Sequence, residues 1–187
     1  MRITGGFYKN RRLAPLKGLK IRPTSDRVRE AIFSIVGQDM DGCNVLDLFA
    51  GTGCLGLEAL SRNASKVLFI DSSPQAIQLI EKNLERCGCL NSAMVVKRDL
   101  LRPLSVESLP MKGPFDLVFM DPPYRKGFLP SLLSTLSGKR FLSPWAKVVT
   151  ESSNKDPLPD RVANLKQRLS RFYGETRITV YCFEEKS

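Results

Sequence analysis

The 187-residue chain contains no histidine. That absence removes every Ser-His or Cys-His nucleophilic relay, so any chemistry must run without an imidazole base. Cysteine is scarce as well: there are five, an odd number scattered through apolar segments, which argues for reduced thiols and against a disulfide framework. Cys87 and Cys89 lie close together. With no histidine and no second cysteine pair they do not make a zinc set, so no metal is expected and these thiols read as core or helix-end groups. No apolar run is long enough to span a membrane and no signal peptide is recognisable. The expectation is a cytoplasmic chain without a membrane partner, and its length fits one α/β domain with a substantial core. Acidic side chains are in deficit, 19 against 29 Lys and Arg for a net charge of +10, which predicts attraction to a polyanion.

Against these absences stands Asp121-Pro122-Pro123-Tyr124, closing the apolar run Phe115 to Met120. Two consecutive prolines lack N–H groups and hold φ near about −65°, and the first pushes Asp121 towards an extended conformation. The tetrapeptide therefore reads as a stiff loop leaving the tip of a buried strand. It displays one carboxylate, backbone carbonyls and a flat ring. Carboxylate and carbonyl can accept both hydrogens of an exocyclic NH2 while the ring stacks on the base that carries it.

Upstream, the apolar segment Val45 to Leu48 runs into Phe49-Ala50-Gly51-Thr52-Gly53-Cys54-Leu55-Gly56, where Gly51, Gly53 and Gly56 match the dinucleotide fingerprint of a strand, a tight turn and a helix N-terminus. A second apolar run, Lys66 to Asp71, ends in an acid 20 positions after Gly51, where a carboxylate meets the ribose hydroxyls of an adenosine cofactor. A third, Ala93 to Lys97, precedes Asp99, placed to reach an adenine amine. Taken singly, each acid reads as a solvated strand end. Together the four features fall at the C-terminal ends of successive strands of a βα repeat, the edge where such sheets bind ligands.

Phe49-Ala-Gly-Thr-Gly followed by Asp121-Pro-Pro-Tyr resembles the S-adenosylmethionine-dependent amino methyltransferases. With the opening Met1-Arg-Ile-Thr-Gly-Gly and the segment Arg22-Pro-Thr-Ser-Asp-Arg-Val-Arg-Glu-Ala-Ile-Phe, the chain resembles the bacterial 16S ribosomal RNA guanine-N2 methyltransferase family over nearly its whole length, with Thr52 where serine is frequent. The resemblance implies S-adenosyl-L-methionine as cofactor, contacted by Asp47, Phe49, Ala50, Gly51, Gly53, Asp71, Ser72, Asp99 and Leu100. It implies catalytic contacts to the base from Asp121, Pro122, Pro123 and Tyr124. The implied partner is 16S ribosomal RNA, within a small subunit or an assembly intermediate, met by a monomer. Two rival functions share parts of the pattern: a DNA adenine or cytosine amino methyltransferase, and a noncatalytic RNA-binding assembly factor. A nicotinamide dehydrogenase leaves the Asp-Pro-Pro-Tyr loop unexplained.

Basic residues concentrate at the N-terminus, where Arg2, Lys9, Arg11, Arg12, Arg22, Arg27 and Arg29 meet few acids. Interspersed Gly5, Gly6, Phe7, Tyr8 and Pro15 suggest a hairpin or extended arm, and Arg2, Lys9, Arg11, Arg12, Arg22 and Arg27 are the candidates for gripping RNA. Residues 1–23 are expected to form this arm and 24–187 the methyltransferase domain. Periodicity places helices after Thr24 or Ser25 and after Ser73-Pro74, the latter ending before Gly88. The expected fold is α/β and Rossmann-like: a mostly parallel central sheet with strands near 44–48, 66–71, 93–97, 115–120 and 146–151, helices on both faces, and an antiparallel hairpin over 172–181. Residues 152–160 read as a linker-like loop.

Overall fold

A computed structural model describes residues 1–14, 24–122, 128–138 and 141–184. The apolar runs with no interior charge, or only one, become β1 (Asn44–Leu48), β2 (Lys66–Asp71), β3 (Ala93–Lys97) and β4 (Phe115–Met120). They pair in parallel, with β1 between β2 and β4, and their long apolar stretches suit a sheet covered on both faces. A fifth strand, β5 (Leu142–Ser153), continues the parallel set. Then direction reverses. Strands β6 (Arg161–Val162), β7 (Leu165–Tyr173) and β8 (Thr176–Phe183) complete, among the described residues, an eight-stranded sheet of order β3-β2-β1-β4-β5-β8-β7-β6.

Several boundaries differ from the expectation, the fifth strand beginning already at Leu142. The fifth strand extends through Ser152 and Ser153, which pair with Arg177 and Thr176 of β8, so the linker-like stretch begins later than its polar composition suggests. The closing hairpin is also longer, its first arm starting at Leu165. Lys166, Arg168 and Arg171 point outward there and conceal the strand pattern, while β8 supplies backbone partners that local composition does not reveal.

Helix α1 (Asp26–Val36) starts where the Ser25 hydroxyl accepts from the Val28 N–H at 3.3 Å. Helix α3 (Pro74–Cys87) starts the same way at Ser73, with Pro74 in its first turn and Gly88 following at φ 70°. Apolar residues of α1, of α2 (Cys54–Ser61) and of α3 pack with Val45, Phe69, Phe119 and Val149 on one face of the sheet. Those of α4 (Phe128–Leu136), with Leu100, Leu104, Val106 and Leu109, pack on the other.

The N-terminal segment is a hairpin docked on this body. Arg2 bridges Arg12, and the Ile3 and Leu13 N–H groups donate to Arg11 and Met1 carbonyls at 3.0 and 3.2 Å. Ile3 and Leu13 join the core cluster. At the turn, Gly6 has φ +73° and a Cβ there would lie 1.7 Å from the Ser61 carbonyl oxygen, so only glycine allows the Phe7 N–H to reach that oxygen at 2.6 Å. Beneath the hairpin, Arg29 is fully buried. Its guanidinium donates to the carbonyls of Arg2 at 2.5 Å and Thr24 at 2.7 Å and pairs with Glu58 at 3.3 Å. Glu58 also pairs with Arg62 and accepts the Thr4 N–H at 2.7 Å.

Glu58 thus bridges two buried guanidiniums, of which Arg29 also pairs with half-buried Asp26 at 2.9 Å, and helps to hold the hairpin. Glu58→Gln should lower unfolding free energy by about 3–5 kcal/mol, because it strands buried positive charge. Urea denaturation measures this; a loss below about 1 kcal/mol would show that Glu58 is not what compensates the two guanidiniums.

Candidate cofactor and base-binding site

Sheet order turns back between β1 and β4, because β2 and β3 lie to one side of β1 and β4 and β5 to the other. Crevices at the C-terminal edge of such a reversal bind ligands. The segment leaving β1 places Phe49, Gly51 and Gly53 at φ 59°, 55° and 75°, with the Ala50 N–H donating to the Ile70 carbonyl at 3.1 Å. Gly56 serves packing: a Cβ there would lie 2.2 Å from Phe69 Cε1, so α2 can rest against β2 only without a side chain.

Asp71 ends β2 with both oxygens in use. Oδ2 accepts the Gly51 N–H and Oδ1 the Ser73 N–H, each at 2.8 Å. The carboxylate is thereby fixed at the mouth of the glycine loop, half-buried, with a further lone pair on each oxygen. Ser72 is exposed beside it. Asp99 is exposed and accepts the Leu101 N–H at 3.0 Å, while Leu100 is buried and Leu101 is 59% exposed. The Arg98 N–H donates to the Asp71 carbonyl at 2.9 Å, joining the two strand ends.

Asp47 sits deeper, 2% exposed, accepting the Gly56 N–H at 2.9 Å and so tying β1 to α2. Burial pushes its carboxyl up to about 7, with the Asp71 charge adding to the rise and the Gly56 N–H opposing it. Phe49 and Ala50 lead into the turn. This set fits an adenosyl cofactor: close-packed backbone at a helix start, an oriented carboxylate for ribose hydroxyls, and an acid beside an apolar wall for an adenine. None of it requires a metal.

Across the reversal, Asp121 follows β4 and Pro122 is buried. Pro123 and Tyr124 lie outside the described residues. Burial lifts the Asp121 carboxyl well above the usual carboxylate range; the charges of Glu151 and Asp47 raise it further, and a hydrogen bond with the Thr24 hydroxyl opposes them. Glu151 was not anticipated. The β4–β5 register, Met120 opposite Thr150, brings it beside Asp121, and its Oε2 accepts from Thr24 Oγ1 at 3.1 Å. The signal available in the sequence was an acid closing the next apolar run.

Of the proposed RNA-gripping residues, Lys9, Arg11 and Arg12 are exposed on the hairpin beside Phe7, which is 85% exposed. Arg11 lies over the Tyr8 ring at 5.3 Å and donates to the Arg86 carbonyl at 2.8 Å. Arg2 pairs with Asp26 at 3.6 Å. Arg27 is exposed on α1 and lines a cleft with Thr24 and Glu151. Arg22 lies outside the described residues, and Arg29, counted in the basic cluster, is structural. The hairpin also reaches the glycine loop: buried Asn83 accepts the Ala14 N–H at 2.8 Å and donates to the Thr52 carbonyl at 3.0 Å.

Asp47 sets a pH dependence. Its carboxyl rises from about 3.9 in an unfolded chain to about 7, so between those values the folded state keeps a proton that the unfolded state has lost. Its contribution to stability therefore falls as pH rises from about 4 to about 7. Asp47→Asn, which keeps an oxygen for the Gly56 N–H, should be flatter than wild type over that window in urea midpoints. Parallel curves for the two proteins would refute the titration.

Comparison with known proteins gives the same architecture and a lineage. The family described as conserved hypothetical protein 95 matches residues 1–182. YlbH of Bacillus subtilis, named as a candidate rRNA methyltransferase, is 36% identical over 181 residues, covering 97% of this chain and 98% of that protein. Ribosomal RNA small subunit methyltransferase D of Escherichia coli K12 is 33% identical over 182 residues, covering 97% and 89%. An RNA methyltransferase from Salinibacter ruber, solved with S-adenosyl-L-homocysteine, superposes with a TM-score of 0.64 over 89% of this chain and 96% of that one; at 18% identity it shows the shared Rossmann-like methyltransferase fold. A match that runs from the docked hairpin through the closing strands means that the chain belongs to the conserved hypothetical protein 95 family, alongside the small-subunit rRNA methyltransferase D proteins.

Proposed function

We propose that this protein transfers a methyl group from S-adenosylmethionine to the exocyclic N2 amine of a guanine in small-subunit ribosomal RNA. The observation that carries the reading is the position of Asp121, across the sheet reversal from the glycine loop and Asp71. Names of relatives such as ribosomal RNA small subunit methyltransferase D support rRNA as the polyanion that a net charge of +10 attracts.

When bound, the cofactor supplies an electrophilic methyl on a sulfonium. Gly51 and Gly53 would leave room for it, Asp71 would hold the ribose, and Asp99 with Leu100 would meet the adenine. An aryl amine is a poor nucleophile because its lone pair is delocalised into the ring. Asp121 and the Pro122 carbonyl accept its two N–H groups, favour pyramidalisation and aim the lone pair. They would also stabilise positive charge growing on nitrogen as the N–C bond forms and the methyl–sulfur bond breaks; S-adenosylhomocysteine would leave as a neutral thioether and the surplus amine proton would pass to solvent. Tyr124 stacks on the guanine, worth about 1–3 kcal/mol. The base must be unpaired or extruded to enter.

Labelled S-adenosylmethionine, offered with naked 16S rRNA, assembled small subunits and duplex DNA, tests the reading. N2-methylguanosine from an RNA substrate is expected. Methylated DNA selects the DNA enzyme, and RNA binding without cofactor binding in titration calorimetry selects the assembly factor. Asp121→Ala should keep cofactor affinity and lose about 10²–10³ in kcat. Asp121→Asn should retain more activity and lose the acid limb of the pH profile, since in wild type the accepting carboxylate forms only as pH rises through its lifted value. An acid limb unchanged in Asp121→Asn would exclude that role.

The hairpin carries a separate expectation. Replacing Arg2, Lys9, Arg11 and Arg12 with Gln should weaken rRNA binding and flatten its dependence on log salt by about 0.7–0.9 per lost phosphate contact, with cofactor affinity unchanged. Wild-type affinity and slope in that variant would make these charges solvated surface.

A further inference from the structure

Phe7, on the turn of the N-terminal hairpin, is the most exposed large apolar side chain among the described residues, at 85%. On a loose loop a lone exposed ring is ordinary. This turn is not loose. The Phe7 N–H donates to the Ser61 carbonyl at 2.6 Å and the Tyr8 N–H to Ser61 Oγ at 2.8 Å, while that hydroxyl donates to the Gly5 carbonyl at 2.6 Å. Within the turn, the Lys9 N–H reaches the Gly6 carbonyl at 3.2 Å and the Arg11 N–H the Tyr8 carbonyl at 3.0 Å. Ser61 is fully buried, so the turn is fastened to the C-terminal end of α2 and holds one uncovered ring out from a fixed backbone.

The surroundings say what the ring meets. Tyr8 stands nearly perpendicular to it, with centroids 5.3 Å apart at 83°, and Arg11 lies over the Tyr8 ring at 5.3 Å. Residues 1–14 carry four cations and no acid, and Lys9, Arg11 and Arg12 are exposed on the same hairpin. A flat ring among cations matches the two kinds of group on a nucleic-acid strand: phosphates for the cations and a base face for the ring. Only an unpaired base offers that face. Because the backbone is already fixed, stacking orders little of the protein, which favours binding.

We propose that Phe7 is a stacking platform for an unpaired base of the RNA, a second nucleotide distinct from the one that is methylated. The proposal rests on the rRNA reading and adds a contact to it. Distance separates the two bases. Helix α2 has the glycine loop at its start and Ser61 at its end, so over Cys54–Ser61, at about 1.5 Å per residue, the turn is anchored about 10 Å from the cofactor loop. A base lying on Phe7 is therefore not the base in the crevice. The ring is neutral, so what it adds to affinity does not depend on salt, unlike the contribution of Lys9, Arg11 and Arg12.

The test titrates full-length wild type and its Phe7→Ala, Phe7→Leu and Phe7→Trp variants, checked for equal urea midpoints, against 16S rRNA, naked and in assembled small subunits, over a range of salt. Phe7→Ala and Phe7→Leu should both weaken binding by about fivefold to hundredfold, the range that loss of one stacked base gives, with the slope against log salt unchanged. Leucine keeps apolar surface but has no ring face. Phe7→Trp should bind at least as tightly as wild type, and its added emission should be quenched by rRNA, with wild type, whose one tryptophan is Trp145, as the control. Wild-type affinity in Phe7→Ala overturns the proposal. So does wild-type affinity in Phe7→Leu together with an unquenched Phe7→Trp, which makes the contact apolar and its partner another protein surface. Both results leave the rRNA reading standing if wild type binds and methylates 16S rRNA; a wild type that does neither is the failure of that reading itself, and the stacking role falls with it.

Discussion

Parallel pairing of β1 with β4 is the constraint on which the site depends. Leu48 sits opposite Met120, so the glycine loop and Asp121 leave the sheet at neighbouring points on the same edge. Nothing local to either segment demands this. It follows from the reversal of strand order, and it turns two loops separated by 70 residues of sequence into opposite walls of one crevice. The same logic one strand further, Met120 opposite Thr150, delivers Glu151 to Asp121. Positions continue in alternation, so Asp47, Asp121 and Glu151 all emerge on the face covered by α1 and α2, and their mutual charge accounts for part of the lift on Asp121.

Much of this was legible because buried parallel strands leave a strong trace. Val45 to Leu48, Lys66 to Asp71, Ala93 to Lys97 and Phe115 to Met120 are apolar runs ended by glycine, acid or proline, and the strands fall on those bounds. The helix cap at Ser73 was equally plain, and for α1 the structure chooses Ser25 over the other candidate, Thr24, since a hydroxyl before an apolar-periodic stretch satisfies orphan N–H groups. The antiparallel end was less so. Leu165–Tyr173 alternates with exposed cations and gains its backbone partners from β8, a non-local source. The cleft and Glu151 were illegible for the same reason: they arise from register between elements, and a single sequence does not print register.

Charge was the misleading signal. Arg29 sits among nine cationic side chains within the first 30 residues, and composition reads them as one surface. The fold divides them. Lys9, Arg11 and Arg12 face solvent, while Arg29 goes inside to neutralise Glu58 and gather the carbonyls of Arg2 and Thr24. A buried ion cluster of this kind is a poor source of net stability compared with apolar packing, yet it specifies one seat for the hairpin, because each hydrogen bond has a single geometry in which all are made. The hairpin is consequently part of the catalytic body and not an appendage to it.

Asn83 makes that union rigid where it matters. Its amide oxygen takes the Ala14 N–H and its amide nitrogen feeds the Thr52 carbonyl, both in a fully buried setting. Turning the amide over would set donor against donor and acceptor against acceptor, so the side chain has one orientation and the two backbone segments one separation. The hairpin and the glycine loop therefore keep a fixed separation, as the jaws of a set caliper do, with this side chain of α3 as one of its screws. Under the proposed function, an RNA would be measured by the distance between its phosphates and its offered base before any base edge is read.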